Sequence, residues 1–258
     1  PSPISALLSG IMVKVQIYSL IRIFISLYDI EYLLRYKIDI IILVLGSITV
    51  LVGHLMAIKQ VNLKRLLAYS SLAQIGYIVI GIGTISRQGM VGALYHIMNH
   101  GVLKAGLFFI AGALIYKLNI KKINELKGLY YRNRYLSILF FILSLGMIGI
   151  PPLNGFLSKW LIIMGTMSTK HYIPASIIAL GTFLSVIYYM KINVLIFSPA
   201  DKYQNKFDID FLFYLPIVAM VVLSLVLFVY GNNIYTVLND IFETLANNSM
   251  YIKAVLNS

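Results

Sequence analysis

The chain of 258 residues lacks cysteine and is poor in charge, since 12% of its residues are charged against roughly 25% in soluble domains. Without cysteine it can form no disulfide, thiolate metal site, iron–sulfur cluster or thiol nucleophile. We therefore expect no cofactor and no redox or hydrolytic site in this chain, so that any electron transfer takes place in another chain. The scarcity of charge excludes an ordinary soluble enzyme.

Apolar sequence is abundant, with 60% hydrophobic residues and a mean hydropathy of +0.87. Runs of about 20 apolar residues recur, and each is long enough to cross a bilayer as a helix. The sequence predicts an all-α polytopic helix bundle in the lipid bilayer, with one domain at 1–231 and a polar tail at 232–258. The seven predicted spans are 4–28, 38–58, 66–85, 90–116, 135–168, 174–197 and 211–231.

The net charge of +12 is best explained by membrane topology, because the basic residues lie mostly between spans. We expect no nucleic-acid partner. Twelve Lys and Arg lie on the side of the N-terminus and the second, fourth and sixth connections, against six on the other. The excess predicts a cytoplasmic or matrix location for the N-terminal end and the opposite side for the tail. The twelve are Lys59, Lys64, Arg65, Lys117, Lys121, Lys122, Lys127, Arg132, Arg134, Lys191, Lys202 and Lys206.

The fifth predicted span is too long for one crossing and carries two prolines near its middle. Proline removes a backbone donor and clashes with the preceding turn. Helices interrupted at membrane depth often mark ion or substrate sites in transporters. We therefore predict a discontinuous helix, whereas a tilted helix with a proline kink is the alternative. The segment reads Gly149-Ile150-Pro151-Pro152-Leu153-Asn154-Gly155.

Three lysines, Lys14, Lys104 and Lys159, lie deep inside predicted spans, while all nine acids fall in connections, at span edges or in the tail. A charged side chain at membrane depth costs roughly 2.5–3.5 kcal/mol on insertion scales, so each lysine needs a function or a partner. Snorkelling of Lys14 and an interfacial anchor at Lys159 are the alternatives.

The fourth span contains His96, His100 and Lys104, whose i, i+4, i+8 spacing places them on one helical face. Histidine titrates near neutral pH, so the stripe predicts a proton relay. The alternative is that these histidines only hold helices together by hydrogen bonds. Because no acidic or Cys ligand accompanies the pair, we expect no metal site. Accessory roles are possible for His54, Asn154 and Ser158.

Four motifs resemble the antiporter-like subunits shared by respiratory complex I, multisubunit Na+/H+ antiporters and membrane-bound hydrogenases. The resemblance covers nearly the whole chain and becomes weak after Pro199. The motifs are Pro1–Gly10 with Met12-Val13-Lys14, Asn62–Ser71 with Gln74–Tyr77, His96 to Phe109, and Gly149–Lys159.

The resemblance implies helices eight to fourteen of a fourteen-helix fold built from two inverted repeats. It implies that Lys14 matches the lysine of the eighth helix, that His96, His100 and Lys104 match the relay of the eleventh, and that Lys159 matches the lysine of the broken twelfth. The acidic residue and lysine of the family's first half have no counterpart here. With Pro1 at its start, the chain is expected to be processed, split or truncated, and a partner chain or segment would supply that half.

The predicted function is that of a proton-translocating subunit of a redox-driven or antiporter-type ion pump in an energy-coupling membrane. Its partners would be other membrane subunits of a multisubunit complex such as NADH:quinone oxidoreductase. A non-conducting structural subunit of such a complex is the main alternative. A solute transporter would be expected to have more varied polar groups near the break than Asn154, Ser158 and Lys159.

Overall fold

The computed structural model describes residues 12–27, 30–199 and 205–246, in which every regular element is a helix. A 3₁₀ turn at Ile123–Leu126 precedes the short helix at Leu129–Arg132. The helices are α1 (Val13–Leu27), α2 (Ile30–Arg35), α3 (Ile38–Ile58), α4 (Leu63–Gly83), α5 (Arg87–Leu118), α6 (Leu129–Arg132), α7 (Arg134–Ile148), α8 (Gly155–Ser168), α9 (Tyr172–Phe197), α10 (Phe211–Val229) and α11 (Gly231–Ala246).

Five of these helices, α3, α4, α5, α9 and α10, are long and apolar enough to cross a membrane. They correspond to the second, third, fourth, sixth and seventh predicted spans. The first predicted span, 4–28, is described from residue 12 onward, and its earlier part, with the motif Pro1–Gly10, lies outside the described residues. The all-helical membrane fold is thus confirmed.

The fifth predicted span is divided into two helices, as the prolines predicted. Helix α7 ends at Ile148 and α8 begins at Gly155, with six non-helical residues between them. Gly149 ends α7 with a φ of 90°, a left-handed conformation that only glycine adopts readily. The prediction of a discontinuous helix is confirmed, and a continuous kinked helix is excluded.

The connections gather at the two ends of the bundle in the predicted alternation. At one end, Leu63 N donates to Lys121 O (3.0 Å) and Phe207 N to Arg132 O (3.3 Å), which joins the second, fourth and sixth connections. At the other end, Arg87 pairs with Glu243 of α11 at 2.9 Å. The structure therefore confirms that the second, fourth and sixth connections share one end, while the side of the membrane that each end faces stays a prediction.

Residues 231–246 form α11, a helix that the sequence analysis did not predict within the polar tail. Leu238 is buried on its inner face, where Ile234, Tyr235 and Phe242 pack against the bundle beside Ile21. This i, i+4, i+8 pattern is that of an amphipathic surface helix. The remaining tail, 247–258, lies outside the described residues.

Helices α3 and α4 approach each other closely because glycines line their contact. A Cβ on Gly53 would lie 2.5 Å from Ala73 N, and one on Gly76 would lie 2.6 Å from Val50 N. Small residues let membrane helices approach at backbone distance. This approach brings His54 of α3 against Tyr77 of α4, which is where the candidate site begins.

Candidate functional site

Lys159 of α8 is buried against the end of α7, on the other side of the break. Its Nζ donates to Met147 O at 3.0 Å and to Ile148 O at 2.8 Å, and it lies 5.1 Å from the centre of the Tyr77 ring. The last carbonyls of a helix have no partner within the helix and form the negative end of its dipole. The interrupted helix thus creates acceptors for the lysine, and Lys159 is not an interfacial anchor.

His96 of α5 is buried and bonded through both ring nitrogens. Nε2 donates to Gln74 Oε1 at 2.9 Å, and Nδ1 lies 2.9 Å from Ser158 Oγ. Ser158 also lies 3.3 Å from Gly155 O. A neutral His96 accepts a hydrogen bond from the Ser158 hydroxyl, whereas a protonated ring donates to Ser158, which then donates to Gly155 O. Both protonation states of His96 therefore have complete hydrogen bonding.

Lys104 is fully buried and points to α4 rather than along the stripe of α5. Its Nζ donates to Leu67 O at 2.7 Å and to Ser70 Oγ at 2.5 Å. Ser70 Oγ lies 3.4 Å from the hydroxyl of Tyr189 on α9. No carboxylate of the described residues pairs with Lys104, so hydroxyl and carbonyl oxygens alone hold this amine.

His54 lies between two buried tyrosine hydroxyls. Its Nε2 is 2.8 Å from Tyr77 OH, and its Nδ1 is 3.2 Å from Tyr188 OH. The rings of Tyr188 and Tyr189 are 4.7 Å apart. His54 therefore connects α4 with α9, and it lies within electrostatic range of both Lys159 and Lys104.

His100 is buried and stacked on His96, with ring centres 6.2 Å apart and planes inclined by 11°. Neither of its nitrogens has a hydrogen-bond partner among the described residues, and the same holds for Gln74 Nε2. The predicted face of His96, His100 and Lys104 therefore exists, but direct hydrogen bonds do not connect its three members. A buried imidazole of this kind needs water or a change of partner to exchange protons.

Asn154 anchors the break to the neighbouring helices. Its side-chain Nδ2 donates to Asn99 Oδ1 of α5 at 2.9 Å, and Asn99 Nδ2 donates to the main-chain carbonyl of Asn154 at 2.8 Å. Ser224 of α10 also donates to Asn154 Oδ1 at 3.3 Å. These contacts fix the non-helical segment relative to α5, which carries the histidines.

Lys14 of α1 is buried with 6% of its surface exposed, which argues against a snorkelling side chain. It lies within electrostatic range of His96, His100 and Lys104. The three predicted lysines are therefore all buried in one bundle. In the described part of the chain, no group of three or more His, Cys, Asp or Glu side chains could hold a metal ion.

Sequence reasoning gave no role to several polar residues of this site, which supply its hydrogen bonds. They are Ser70, Gln74, Tyr77, Asn99, Tyr188 and Tyr189. Each is an uncharged polar side chain within an apolar helix of membrane length. That pattern is the signal by which they could be found from sequence, as the buried Lys and His are. Together with the predicted residues they form a buried set of polar groups that donate and accept hydrogen bonds.

Comparison with known families gives a match of residues 1–187 to the family described as NADH:quinone oxidoreductase/Mrp antiporter, TM. A Na(+)/H(+) antiporter subunit from Alkalihalophilus pseudofirmus is 31% identical over 259 residues, which cover 99% of this chain and 52% of that protein. An NADH-quinone oxidoreductase subunit from Desulforudis audaxviator is 33% identical over 195 residues, or 74% of this chain and 38% of the relative.

Solved structures share the fold at lower identity. A chain of the Mrp complex from a Dietzia species superposes with a TM-score of 0.89 at 23% identity, covering 99% of this chain and 55% of that one. A chain of respiratory complex I from Thermus thermophilus gives a TM-score of 0.74 at 24% identity, covering 82% and 46%. This chain spans about half the length, or less, of the relatives that it matches.

Proposed function

Because this chain belongs to the NADH:quinone oxidoreductase/Mrp antiporter family of transmembrane proteins, we propose that it is a proton-translocating subunit of an ion-pumping membrane complex. Redox chemistry, where the complex performs it, would reside in other subunits. A partner chain or segment would supply the part that the longer relatives have and this chain does not. The membrane would be an energy-coupling one, with the N-terminal end in the cytoplasm or matrix.

One observation supports the proposal above all, namely the buried series of hydrogen bonds and ring contacts between Lys104 and Lys159. From Lys104 it runs through Ser70 to the adjacent rings of Tyr189 and Tyr188. Tyr188 then contacts His54, and His54 contacts Tyr77. Hydroxyl and imidazole groups reverse their hydrogen bonds when a proton passes. The step from Tyr189 to Tyr188, whose rings are in contact, and the final step from Tyr77 to Lys159 would each need a water molecule or a side-chain movement.

His96 offers a second branch to the same lysine. It contacts Ser158, the residue next to Lys159, and stacks on His100, one turn from Lys104 along α5. A proton on this branch would pass from Lys104 to His100 through water and then reach His96. Both branches connect Lys104 with Lys159, so either branch alone could support proton transfer at a lower rate than the two together.

Protons would reach Lys104 from the end of the bundle that carries the basic connections. Asn193 lies one turn beyond Tyr189 toward that end and donates to Ser144 Oγ at 2.8 Å. Its buried Oδ1 has no hydrogen-bond partner among the described residues, which leaves an acceptor for water. The proton would leave past Lys159 toward the opposite end.

Coupling to the rest of the complex would be electrostatic. Charges interact several times more strongly at the low effective dielectric of a protein interior than in water. Adding a proton to Lys14 would therefore make a second proton on the neighbouring His100 or Lys104 less favourable. An event in the partner segment that changes the charge of Lys14 would in this way move protons along this chain.

Replacement of Lys104 by alanine tests the proposal against a purely structural role. We expect assembly of the parent complex to be retained and proton uptake by proteoliposomes to be lost. Complex yield on native gels and uptake per assembled complex are measured together, with Lys117→Ala on the exposed face of α5 as control. Loss of activity in strict proportion to assembly would instead favour a non-conducting structural subunit.

A further inference from the structure

A cavity of about 380 Å³ opens between the start of α7 and the connection that leads into α10. It lies at the basic end of the bundle, away from the buried lysines. Arg132, Arg134 and Lys206 contribute cations to its lining, and Asp208 contributes a carboxylate. The lining therefore carries a formal excess of positive charge at the level where a membrane helix begins.

The one carboxylate of this cavity offsets only one of its three formal positive charges. Asp208 Oδ1 accepts from Ile209 N at 2.9 Å and from Tyr214 OH at 3.1 Å. Within the described ranges neither arginine forms an ion pair with it. The remaining formal positive charge of the cavity is thus available to an anion from outside the chain.

Aromatic rings hold both guanidinium groups in place. Arg132 lies 5.3 Å from the centre of the Phe207 ring, and Arg134 lies 5.7 Å from that of Tyr130. Partial burial lowers the pKa of Arg132 from its ordinary value, because removal from water disfavours the charged form. A guanidinium so oriented presents a planar fork that matches the oxygens of a phosphate.

Asn133 joins the two walls of the cavity. Its side chain accepts from Leu136 N at 2.9 Å, which caps α7, and donates to Tyr214 OH at 2.7 Å and Phe207 O at 3.3 Å. The cavity is therefore built by hydrogen bonds between the elements that flank it. The positive end of the α7 dipole adds to its attraction for anions.

Directly beyond the cavity, the first turns of α10 present an apolar surface. Phe211, Leu212 and Leu215 are 75%, 76% and 55% exposed. A small anion in the cavity would leave this surface uncovered, whereas an amphiphile would contact the cations with its head and the surface with its chains. Basic pockets between membrane helices on the cytoplasmic or matrix side bind anionic lipid head groups.

We propose that this cavity binds the phosphate head group of an anionic phospholipid, whose acyl chains lie against Phe211, Leu212 and Leu215. Arg132 and Arg134 would contact the phosphate, and Lys206 would contribute a further charge from the facing segment. The site is separate from the buried lysines and does not depend on proton translocation.

The test is lipid binding to the full chain purified in detergent, followed by native mass spectrometry. The probes are dioleoyl phosphatidylglycerol, dioleoyl phosphatidylcholine and inorganic phosphate. We expect phosphatidylglycerol to bind more tightly than phosphatidylcholine. The double variant Arg132→Gln with Arg134→Gln should weaken phosphatidylglycerol binding about tenfold or more. Lys206→Gln, in an exposed loop where misfolding is not expected, should cause a smaller loss of the same selectivity.

The control removes two exposed charges at the same end of the bundle but outside the cavity, by Lys117→Gln with Lys121→Gln. An equal loss in this control would show that binding follows overall charge, which would overturn the proposal. Equal binding of the two lipids would overturn it as well. Displacement of the lipid by inorganic phosphate at equal concentration would identify a free anion as the ligand and exclude the phospholipid.

Discussion

Lys159 and Tyr77 meet where the broken helix faces α4. The amine lies 5.1 Å from the centre of the tyrosine ring, while the hydroxyl of the same ring is 2.8 Å from His54 Nε2. The Tyr77 ring therefore contacts Lys159 with its face, and the Tyr77 hydroxyl contacts His54. The ring can stabilise the ammonium form of the lysine, and the hydroxyl can pass a proton.

These two roles of Tyr77 are separated by Tyr77→Phe, which keeps the ring and removes the hydroxyl. If protons pass through His54, the variant should slow proton uptake several-fold while complex assembly stays near normal. Uptake by proteoliposomes is the measurement, and Tyr95→Phe is the control. Tyr95 is also buried and loses a hydrogen bond, to Leu227 O, outside the network. Wild-type uptake by Tyr77→Phe would remove the His54 branch from the pathway.

His96 and His100 should respond in opposite ways to replacement. His96→Gln breaks contacts with Ser158 and Gln74 and should lower stability by about 1–3 kcal/mol. His100→Gln removes a titrating group whose nitrogens have no partner among the described residues, so it should slow translocation more than assembly. Thermal unfolding of the purified complex and proton uptake are compared. A stable His100→Gln complex with full uptake would assign translocation to the His54 branch alone.

The sequence was sufficient to predict the features that follow from local chemistry. The break follows from the consecutive Pro151 and Pro152, because each removes a backbone donor and clashes with the preceding turn. The common face of His96, His100 and Lys104 follows from the helical repeat. Burial of Lys14 follows from the apolar turns around it. Each of these predictions depends on residues close together in the chain.

The parts that could not be predicted depend on contacts between distant helices. His54 bonds to tyrosines 23 and 134 residues away, and no spacing rule connects them. Lys104 turns to Leu67 O and Ser70 on α4, a choice that depends on how α4 and α5 pack. Helix α11 was not predicted for a different reason, because its apolar residues are few and lie within an Asn-rich polar segment.

Close packing of α3 on α4 is required to place His54 beside Tyr77, and Gly76→Ala tests this requirement. The added Cβ would lie 2.6 Å from Val50 N, so the helices would have to separate. Overpacking of this kind costs about 1–3 kcal/mol. We expect a lower thermal midpoint and lower uptake, whereas Gly112→Ala, at a half-buried position of α5, should leave both unchanged. An unaltered midpoint in Gly76→Ala would contradict the close approach.

Glu125 predicts a pH dependence at the basic end. Its Oε2 accepts from Lys121 N and Lys122 N, both at 2.9 Å, and these bonds lower the pKa of the carboxyl. A lowered pKa in the folded state gives stability that is present above the unfolded pKa of about 4.3 and is lost as pH falls through the folded value. Glu125→Gln should therefore be less stable than wild type at pH 7, and the difference should shrink as the pH falls below the unfolded pKa. A difference that does not change with pH would contradict this assignment.

Lys104→Arg distinguishes a residue that transfers a proton from one that supplies only positive charge. Arginine keeps the charge but does not deprotonate at accessible pH, so a relay should fail, whereas a structural cation would tolerate the exchange. The buried surroundings of Leu67 and Ser70 also fit an amine more closely than a guanidinium. Assembly on native gels is therefore measured beside uptake, and uptake is expressed per assembled complex. The matched control is Lys117→Arg, on the exposed face of the same helix, for which we expect wild-type values. Full uptake by an assembled Lys104→Arg complex would show that this amine is not a proton carrier, because the guanidinium could neither release nor accept the proton.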